Sequence, residues 1–299
     1  MKQIVVISGK GGTGKTVITA SFAALAENKV MADCDVDAAD LHLLLKPEIK
    51  EKHEFISGKT AVIHQDDCVQ CGICRKLCRF EAISVCKDKE TKKDTFIIDP
   101  VSCEGCAFCS FACPQKAIEM KENLAGEWFS SQTRFGPMIH AKLGIAEENS
   151  GKLVSLVRKK AQEKAENIGA DWVIIDGSPG IGCPVIASLS GADCALVVTE
   201  PTLSGLHDAK RVIDMARHFK IEALLVVNKY DLNIDMTGKI EEYCSEEKVP
   251  FIGKIGFDKT IVKAMVQGKT IIEYSQGETS QRVKEIWTRL QKEVGNGDS

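Results

Sequence analysis

The sequence predicts an α/β protein with a mainly parallel sheet flanked by helices, interrupted by a small α+β insert rich in cysteine. Three observations carry this expectation. Short apolar runs alternate with helix-length amphipathic stretches toward both ends of the chain, the rhythm of parallel strands joined by crossover helices. A glycine-rich turn, GKGGTGKT, separates the first apolar run from the first helical stretch. Eight of the 13 cysteines fall in two runs of identical spacing between Cys68 and Cys113, where the α/β rhythm stops.

The chain has 299 residues, enough for one large domain and one small one. Hydrophobic residues make up 44% and charged residues 27%, with a net charge of -3, which argues against a generally basic nucleic-acid binder. No apolar run approaches the roughly 20 residues that a membrane span needs. The apolar residues 4–7 run straight into glycines, unlike a signal peptide. A cytoplasmic protein is expected. In a reducing compartment, clustered cysteines point to metal ligation rather than disulfides.

Taken in order, residues 2–8 (KQIVVIS) read as a buried strand, and a helix follows the glycine turn over 15–27. Residues 29–34 form a second strand, followed by an acidic segment and a short helix over 41–45. From 58 to 121 the chain is dense in cysteine, with short strand-like pieces at 60–64 and 96–99 and no long helix or strand. The α/β rhythm then resumes, with strands expected at 172–175, 195–199 and 223–228. Helices are expected at 151–168, 205–218, 238–246 and 279–294. In the last helix Val283, Ile286, Trp287, Leu290 and Val294 follow helical spacing. They are read as a core-facing stripe, a membrane-seeking tail being the other reading. The closing GNGDS reads as disordered. Residues 1–57 and 123–299 would form one discontinuous domain, and 58–122 the insert.

The turn itself is a phosphate loop. Gly9, Gly14, Lys15 and Thr16 stand at the required spacing, between a strand and a helix. Gly11, Gly12, Thr13 and Gly14 let backbone N–H groups converge on phosphate oxygens, assisted by the helix N-terminus. Lys15 is expected to reach the β and γ phosphates, and the Thr16 hydroxyl to bind Mg²⁺. Asp176, ending the apolar strand in WVIIDGSPGIG, suits the carboxylate that holds Mg²⁺ through water.

Lys10 is a second lysine inside the loop. With it the chain resembles the deviant Walker-A ATPases: MinD, ParA, Mrp and the nitrogenase iron protein. The resemblance covers nearly all of the chain outside the insert. It implies that Lys10 reaches the nucleotide of a partner subunit, making a nucleotide-sandwich dimer with itself or with a related ATPase. It implies that Asp35, in MADCDVDAADLH, orients the attacking water, and that the Gly180 N–H senses the γ-phosphate. Asp37 and Asp40 are weaker candidates. Asn228 would contact the base. It also opens NKYD, which matches the guanine-reading tetrapeptide of GTPases, in which Asp231 would bind the base edge. ATP follows from the family and GTP from the tetrapeptide, so both stay open.

Residues 68–78 (CVQCGICRKLC) and 103–114 (CEGCAFCSFACP) repeat one spacing, C-x₂-C-x₂-C-x₃-C. The pattern resembles bacterial ferredoxins with two 4Fe-4S clusters, in which the fourth cysteine of each run serves the other cluster. One cluster would use Cys68, Cys71, Cys74 and Cys113, and the other Cys103, Cys106, Cys109 and Cys78. Zinc fits less well, because Cys₄ zinc sites pair two C-x₂-C knuckles. Arg79 departs from the pattern, standing where the family carries proline. Cys34, Cys86, Cys194 and Cys244 fit no ligand spacing. Cys183 lies seven residues after Asp176, at the offset of a cluster-ligating cysteine in the nitrogenase iron protein. It is either a redox or cluster contact at the dimer axis or a buried thiol before Pro184.

Together these features resemble MinD-superfamily ATPases with an inserted ferredoxin domain. The segment SSQTRFGPMIHAKLGIAEENSGKLV resembles that group too, with His140 read as structural rather than as a ligand. The resemblance implies a slow ATPase using ATP/ADP, Mg²⁺ and two 4Fe-4S clusters. Its clusters would pass low-potential electrons to an unidentified redox partner. Iron–sulfur or metal-cofactor assembly with a client protein is the alternative, and a non-redox positioning ATPase a third.

Overall fold

The structure is a computed structural model that describes residues 1–87, 94–144 and 150–296. The chain divides into two compact units. One comprises residues 1–53, 128–143 and 150–299, the other 54–127 and 144–149.

The first unit holds most of a nine-stranded sheet, two of whose strands run on into the second unit. Its opening strand β1 (Lys2–Ile7) has Ile4, Val5, Val6 and Ile7 wholly buried, as a central parallel strand covered on both faces requires. The glycine turn leads into α1 (Lys15–Leu25), and β2 (Lys29–Asp33) and α2 (Leu41–Leu45) follow. Strand β3 (Glu48–Ile63) leads into the second unit, which holds α3 (Ile73–Leu77), β4 (Ile83–Lys87), β5 (Asp94–Ile98) and α4 (Phe108–Ala112). Strand β6 (Ile118–Thr133) returns to the first unit, and a two-residue turn joins it to β7 (Gly136–Leu143). The remainder runs α5 (Ser150–Ile168), β8 (Trp172–Asp176), α6 (Cys183–Leu189), β9 (Cys194–Thr199), α7 (Leu203–His218) and β10 (Glu222–Asn228). It closes with α8 (Ile234–Glu246), β11 (Phe251–Ile255), α9 (Lys259–Val266), α10 (Ile271–Tyr274) and α11 (Glu278–Asn296).

The sheet order is β11-β10-β9-β1-β8-β2-β7-β6-β3. Pairing is parallel from β11 across to β7. The two-residue turn between β6 and β7 is short enough only for an antiparallel pair. Register places Asp176 opposite Val6 on one side and opposite Asp33 on the other. The carboxyl ends of β1, β2 and β8 therefore meet at one place, where open α/β sheets bind their ligands.

Helix α11 buries Val283, Ile286, Trp287, Leu290 and Val294 in the main core. Trp287 packs 5.0 Å from the ring of Phe22 and 5.5 Å from Trp172. The stripe faces the core, and no described helix is long and apolar enough to cross a membrane. Of the closing GNGDS, residues 297–299 lie outside the described residues; Gly295 and Asn296 end α11.

The expectation of no long strand around the insert is corrected, since β3 and β6 each span 16 residues. Residues 48–54 of β3 are all exposed and mostly charged, so they carry no alternating apolar signal. Charge on an edge strand deters unwanted pairing, and it hides the strand from a hydrophobic pattern. Helices α6, α9 and α10 were not foreseen either, because four to eight residues are too few to show helical periodicity.

In the second unit β4 and β5 form an antiparallel pair, with Ile83 opposite Ile98. Helices α3 and α4 are each entered through a left-handed residue, Gly72 at φ 70° and Ala107 at φ 61°. Ala61, Ile63, Ile83, Phe96 and Ile118 form a small core against which six half-buried cysteines pack.

Candidate functional site

In the first unit the glycine turn is braced from below. Asn228 donates its amide N–H to the Thr13 carbonyl at 2.8 Å, and Lys229 Nζ donates to the Gly12 carbonyl at 3.2 Å. Gly14 has φ +87°, and a Cβ there would stand 2.3 Å from Asn228 Nδ2. Gly9 is equally confined, since an added Cβ would lie 2.4 Å from the Cβ of Asp208. The loop needs glycine here for close approach as well as for conformational freedom.

Above the loop, Lys15 Nζ lies 2.7 Å from Asp176 Oδ1 and 3.4 Å from Asp35 Oδ2. Burial alone would lower the lysine pKa, but the carboxylates of Asp176 and Asp35 outweigh it and hold it above its ordinary value. Thr19 Oγ1 also donates to Asp176 Oδ1, at 3.0 Å. Asp33 is buried beside them and accepts the Asp35 N–H at 3.2 Å. Burial and the Asp176 carboxylate raise the Asp33 pKa well above the ordinary carboxylate range; burial, opposed by Lys15, raises that of Asp35.

A cavity of about 530 Å³ opens over this cluster, lined by Gly12, Lys15, Thr16, Asp35 and Asn228 on one side. Its other side is apolar and includes Leu43, Ile261 and Met265. Three buried oxygens in this region, Thr13 Oγ1, Asp33 Oδ2 and Asp176 Oδ2, have no hydrogen-bond partner. Buried polar atoms are almost always satisfied. A hydrated divalent cation and a phosphate would supply what they lack, so the residues present fit Mg²⁺ and a nucleotide.

Lys10 lies against its own chain, with Nζ 3.2 Å from Ser204 Oγ and 3.8 Å from Glu200 Oε2. The Gly180 N–H donates to the Ser8 carbonyl at 2.9 Å, and Ser178 Oγ donates to the Cys34 carbonyl at 2.6 Å. Asp40 lines the cavity, whereas Asp37 is a surface acid. Asp231 does not line it, and its Oδ1 accepts the Phe257 N–H at 2.7 Å. Cys183 is exposed at the first turn of α6, close to Gly151. His140 is buried in β7 with Nε2 2.8 Å from Ser131 Oγ, and burial lowers its pKa to about 4.

Sequence reading assigned no role to Asp33. The signal that could have found it is its place at the end of β2, which a parallel pairing with β8 puts beside Asp176.

In the second unit Cys68, Cys71, Cys74 and Cys113 line one cavity, with Ile63, Ile73 and Phe96. Cys78, Cys103, Cys106 and Cys109 line another, with Phe80, Ile83 and Phe108. None of these cysteines is in a disulfide. Gly105 is held tightly at φ +65°, and a Cβ there would lie 2.2 Å from the Lys59 carbonyl oxygen. Among the described residues no three His, Cys, Asp or Glu side chains converge on a single ion.

The parallel sheet, the braced glycine loop and the lysine and carboxylates at its carboxyl edge define a P-loop nucleotide-binding protein. More narrowly, the chain belongs to the CobQ/CobB/MinD/ParA nucleotide-binding domain family (CbiA), which it matches over residues 4–271. An uncharacterised protein of Methanocaldococcus jannaschii is 34% identical over 294 residues, spanning 97% of this chain and 96% of that relative. The septum site-determining protein MinD of Neisseria meningitidis is 23% identical, spanning 97% of this chain and 90% of its own. Among solved structures, the fold is similar to the cell division ATPase MinD of Pyrococcus furiosus, with a TM-score of 0.58 and 19% identity over 97% of this chain and 98% of that one. It is equally similar to the Mg-ADP complex of MinD from Pyrococcus horikoshii, with a TM-score of 0.58 and 17% identity over 99% and 98% of the two chains.

Proposed function

We propose that this protein is a dimeric, slowly ATP-hydrolysing iron–sulfur protein whose nucleotide state governs low-potential electron transfer to a partner protein. The observation that carries this reading is the arrangement of eight cysteines into two apolar cavities, four to each, in a chain that also carries the phosphate loop.

The cysteines fit 4Fe-4S clusters. A cubane takes one thiolate per iron, so its ligands surround a void, whereas one zinc draws four ligands to about 2.3 Å. Four cysteines lining each of two apolar cavities are the ligand set that such a cluster would need. When bound, such clusters supply one-electron chemistry at potentials set by their surroundings. The chain's own part is to fix the thiolates on α3, α4 and their flanking turns, and to exclude water with residues such as Phe96 and Ile83.

At the nucleotide site, Gly9 to Thr16 would cradle the phosphates and Lys15 would move from Asp176 and Asp35 onto them. Thr16 and Asp176 would hold Mg²⁺, the latter through water. Asp35 would orient the attacking water, and Lys10 would leave Ser204 to reach the partner subunit's nucleotide. The Gly180 N–H would exchange the Ser8 carbonyl for the γ-phosphate. Hydrolysis then acts as a timer for a conformational change. ATP is favoured over GTP by the resemblance to MinD-type ATPases, and Asp231 is not among the residues lining the cavity.

A second reading, a positioning ATPase without redox work, is favoured by the relatives named septum site-determining protein MinD. Anaerobic EPR separates the two. The reduced protein is followed with no nucleotide, with ADP, and with ATP and Mg²⁺. A cluster signal or potential that moves with nucleotide supports redox coupling. Clusters indifferent to nucleotide move the positioning reading ahead, and a protein that holds no cluster removes the redox reading altogether.

A further inference from the structure

Arg134 opens the two-residue turn between β6 and β7, and its guanidinium bonds to three separate segments of the first unit. Nε and one terminal nitrogen donate to the two oxygens of Glu273 in α10, each at 2.7 Å. The other terminal nitrogen donates to the Leu45 carbonyl at the end of α2, at 3.0 Å. A further N–H reaches the Gly268 carbonyl, just past α9, at 3.3 Å. The guanidinium also lies over the Phe135 ring, 4.4 Å from its centre. Glu273 carries a second duty, since its Oε2 accepts the Thr270 N–H at 2.8 Å and closes the first turn of α10.

At 33% and 27% side-chain exposure the ion pair alone would count for little. Arginine makes it a joint, because one rigid planar fork serves a carboxylate and two carbonyls at once, which lysine cannot do. What the joint holds together is the apolar wall of the nucleotide cavity. Leu43 and Leu44 come from α2, and Ile261, Val262 and Met265 from α9. Helix α9 is loosely seated by itself: Ala264 is its one buried residue, and Val262 and Met265 are 57% and 45% exposed. Elements with few buried apolar contacts open at low free-energy cost. Asp258 caps the start of α9 by accepting the Thr260 N–H at 2.7 Å, and the Arg134 joint holds its far end. The phosphate loop takes the polar side of the cavity, so the nucleoside part of a ligand is left the apolar wall to pack on.

We propose that Arg134 is a positioning residue of the nucleotide site: it pins α2 to the end of α9 and so fixes the wall against which the nucleoside packs. Its loss loosens that wall, weakens the hold on the nucleoside and speeds nucleotide release, while the grip of the glycine loop on the phosphates is unchanged. This rests on the nucleotide reading above. Arg134 does not itself line the cavity, and it acts through the α2 and α9 side chains that do, Leu43 and Met265 among them.

The test is stopped-flow release of a fluorescent ADP analogue from the full-length protein with Mg²⁺, together with its displacement by ATP and by inorganic tripolyphosphate, which has no nucleoside. Arg134→Gln should release the analogue about tenfold faster and lose a similar factor in ATP affinity, the scale of one lost charge-assisted hydrogen bond. Tripolyphosphate affinity should match wild type. Glu273→Gln keeps an oxygen for the Thr270 cap and should show the same pattern, and the double variant should release no faster than Arg134→Gln alone. An unchanged release rate would overturn the proposal. Equal losses for ATP and tripolyphosphate would show a general structural role and overturn it too, as would additive effects in the double variant. Where Arg134→Gln does not fold, Arg134→Lys keeps the charge but loses the fork, and an unchanged release rate in that variant is equally fatal. If wild type binds neither ATP nor tripolyphosphate, the nucleotide reading has failed, and this inference with it.

Discussion

Lys15 Nζ stands 2.7 Å from Asp176 Oδ1, so the lysine of the phosphate loop is ion-paired to a carboxylate at the end of β8. The pair is almost fully buried. Removing one member strands the other, which in buried pairs costs about 3–5 kcal/mol. Lys15→Ala should therefore abolish nucleotide binding and also lower the stability of the first unit. Tryptophan fluorescence is the measure, because Trp128, Trp172 and Trp287 all lie in that unit. An unchanged urea midpoint would contradict the pairing.

The same cluster sets a pH dependence. Asp33 and Asp35 have folded-state values raised above 3.8, by burial first. The native state then keeps protons that the unfolded chain has released. Their contribution to stability is full below the ordinary carboxylate value and is lost as pH rises through the raised ones. Lys15 is raised above 10.5, so its contribution persists through neutrality and is lost only in strong alkali. The unfolding midpoint of the first unit should decline from mildly acidic pH upward, and Asp33→Asn should flatten that decline. A profile identical in wild type and variant would count against it.

Asn228 closes the loop through Thr13 rather than pointing free into the cavity. Asn228→Ala leaves a buried carbonyl unpaired, at about 1–3 kcal/mol. ATP and ADP affinity should fall together by roughly one to two orders of magnitude, read by calorimetry. Loss confined to one of the two nucleotides would point to a role at the γ-phosphate instead.

Asp231 supports the turn after β11 through the Phe257 N–H. Asp231→Ala should weaken ATP and GTP binding to the same degree, leaving their ratio unchanged in a competition assay. A selective loss of GTP would establish guanine reading by NKYD.

In the second unit, Gly105→Ala drives a Cβ to 2.2 Å from the Lys59 carbonyl and imposes a left-handed backbone on alanine. Iron loading should fall toward one cluster, since Gly105 sits beside Cys103 and Cys106. Cys68→Ala should remove the other cluster. Iron and sulfide analysis with EPR gives the count, and nucleotide binding should persist in both variants. Its loss would mean that the two units do not behave as separate modules.

Much of the first unit was legible in the sequence, because its signals are local. A glycine run between an apolar run and a helical stripe specifies a strand, a tight turn and a helix within 25 residues. The stripe on α11 was readable for the same reason. What escaped were most of β3, all of β6, β7 and β11, and the short helices α6, α9 and α10. Half of β3 is charged edge, and β7 buries His140 among apolar neighbours, so neither shows simple alternation. The segment holding His140 thus turns out to be sheet, with the imidazole paired to Ser131.

The sequence by itself determined the P-loop fold and the identity of the groups offered to it: glycines where the backbone must approach closely, a lysine and threonine opening α1, and cysteines in repeated short spacing. Those choices depend on backbone geometry within a few residues. Only the tertiary structure decided which distant groups meet. Strand register set Asp33 against Asp176, the carboxyl end of β10 brought Asn228 under Thr13, and the turn after β11 drew Asp231 to Phe257. Contacts separated by 26 to 215 residues depend on how whole strands pair and on burial that leaves each polar atom one feasible partner, and no local pattern records either.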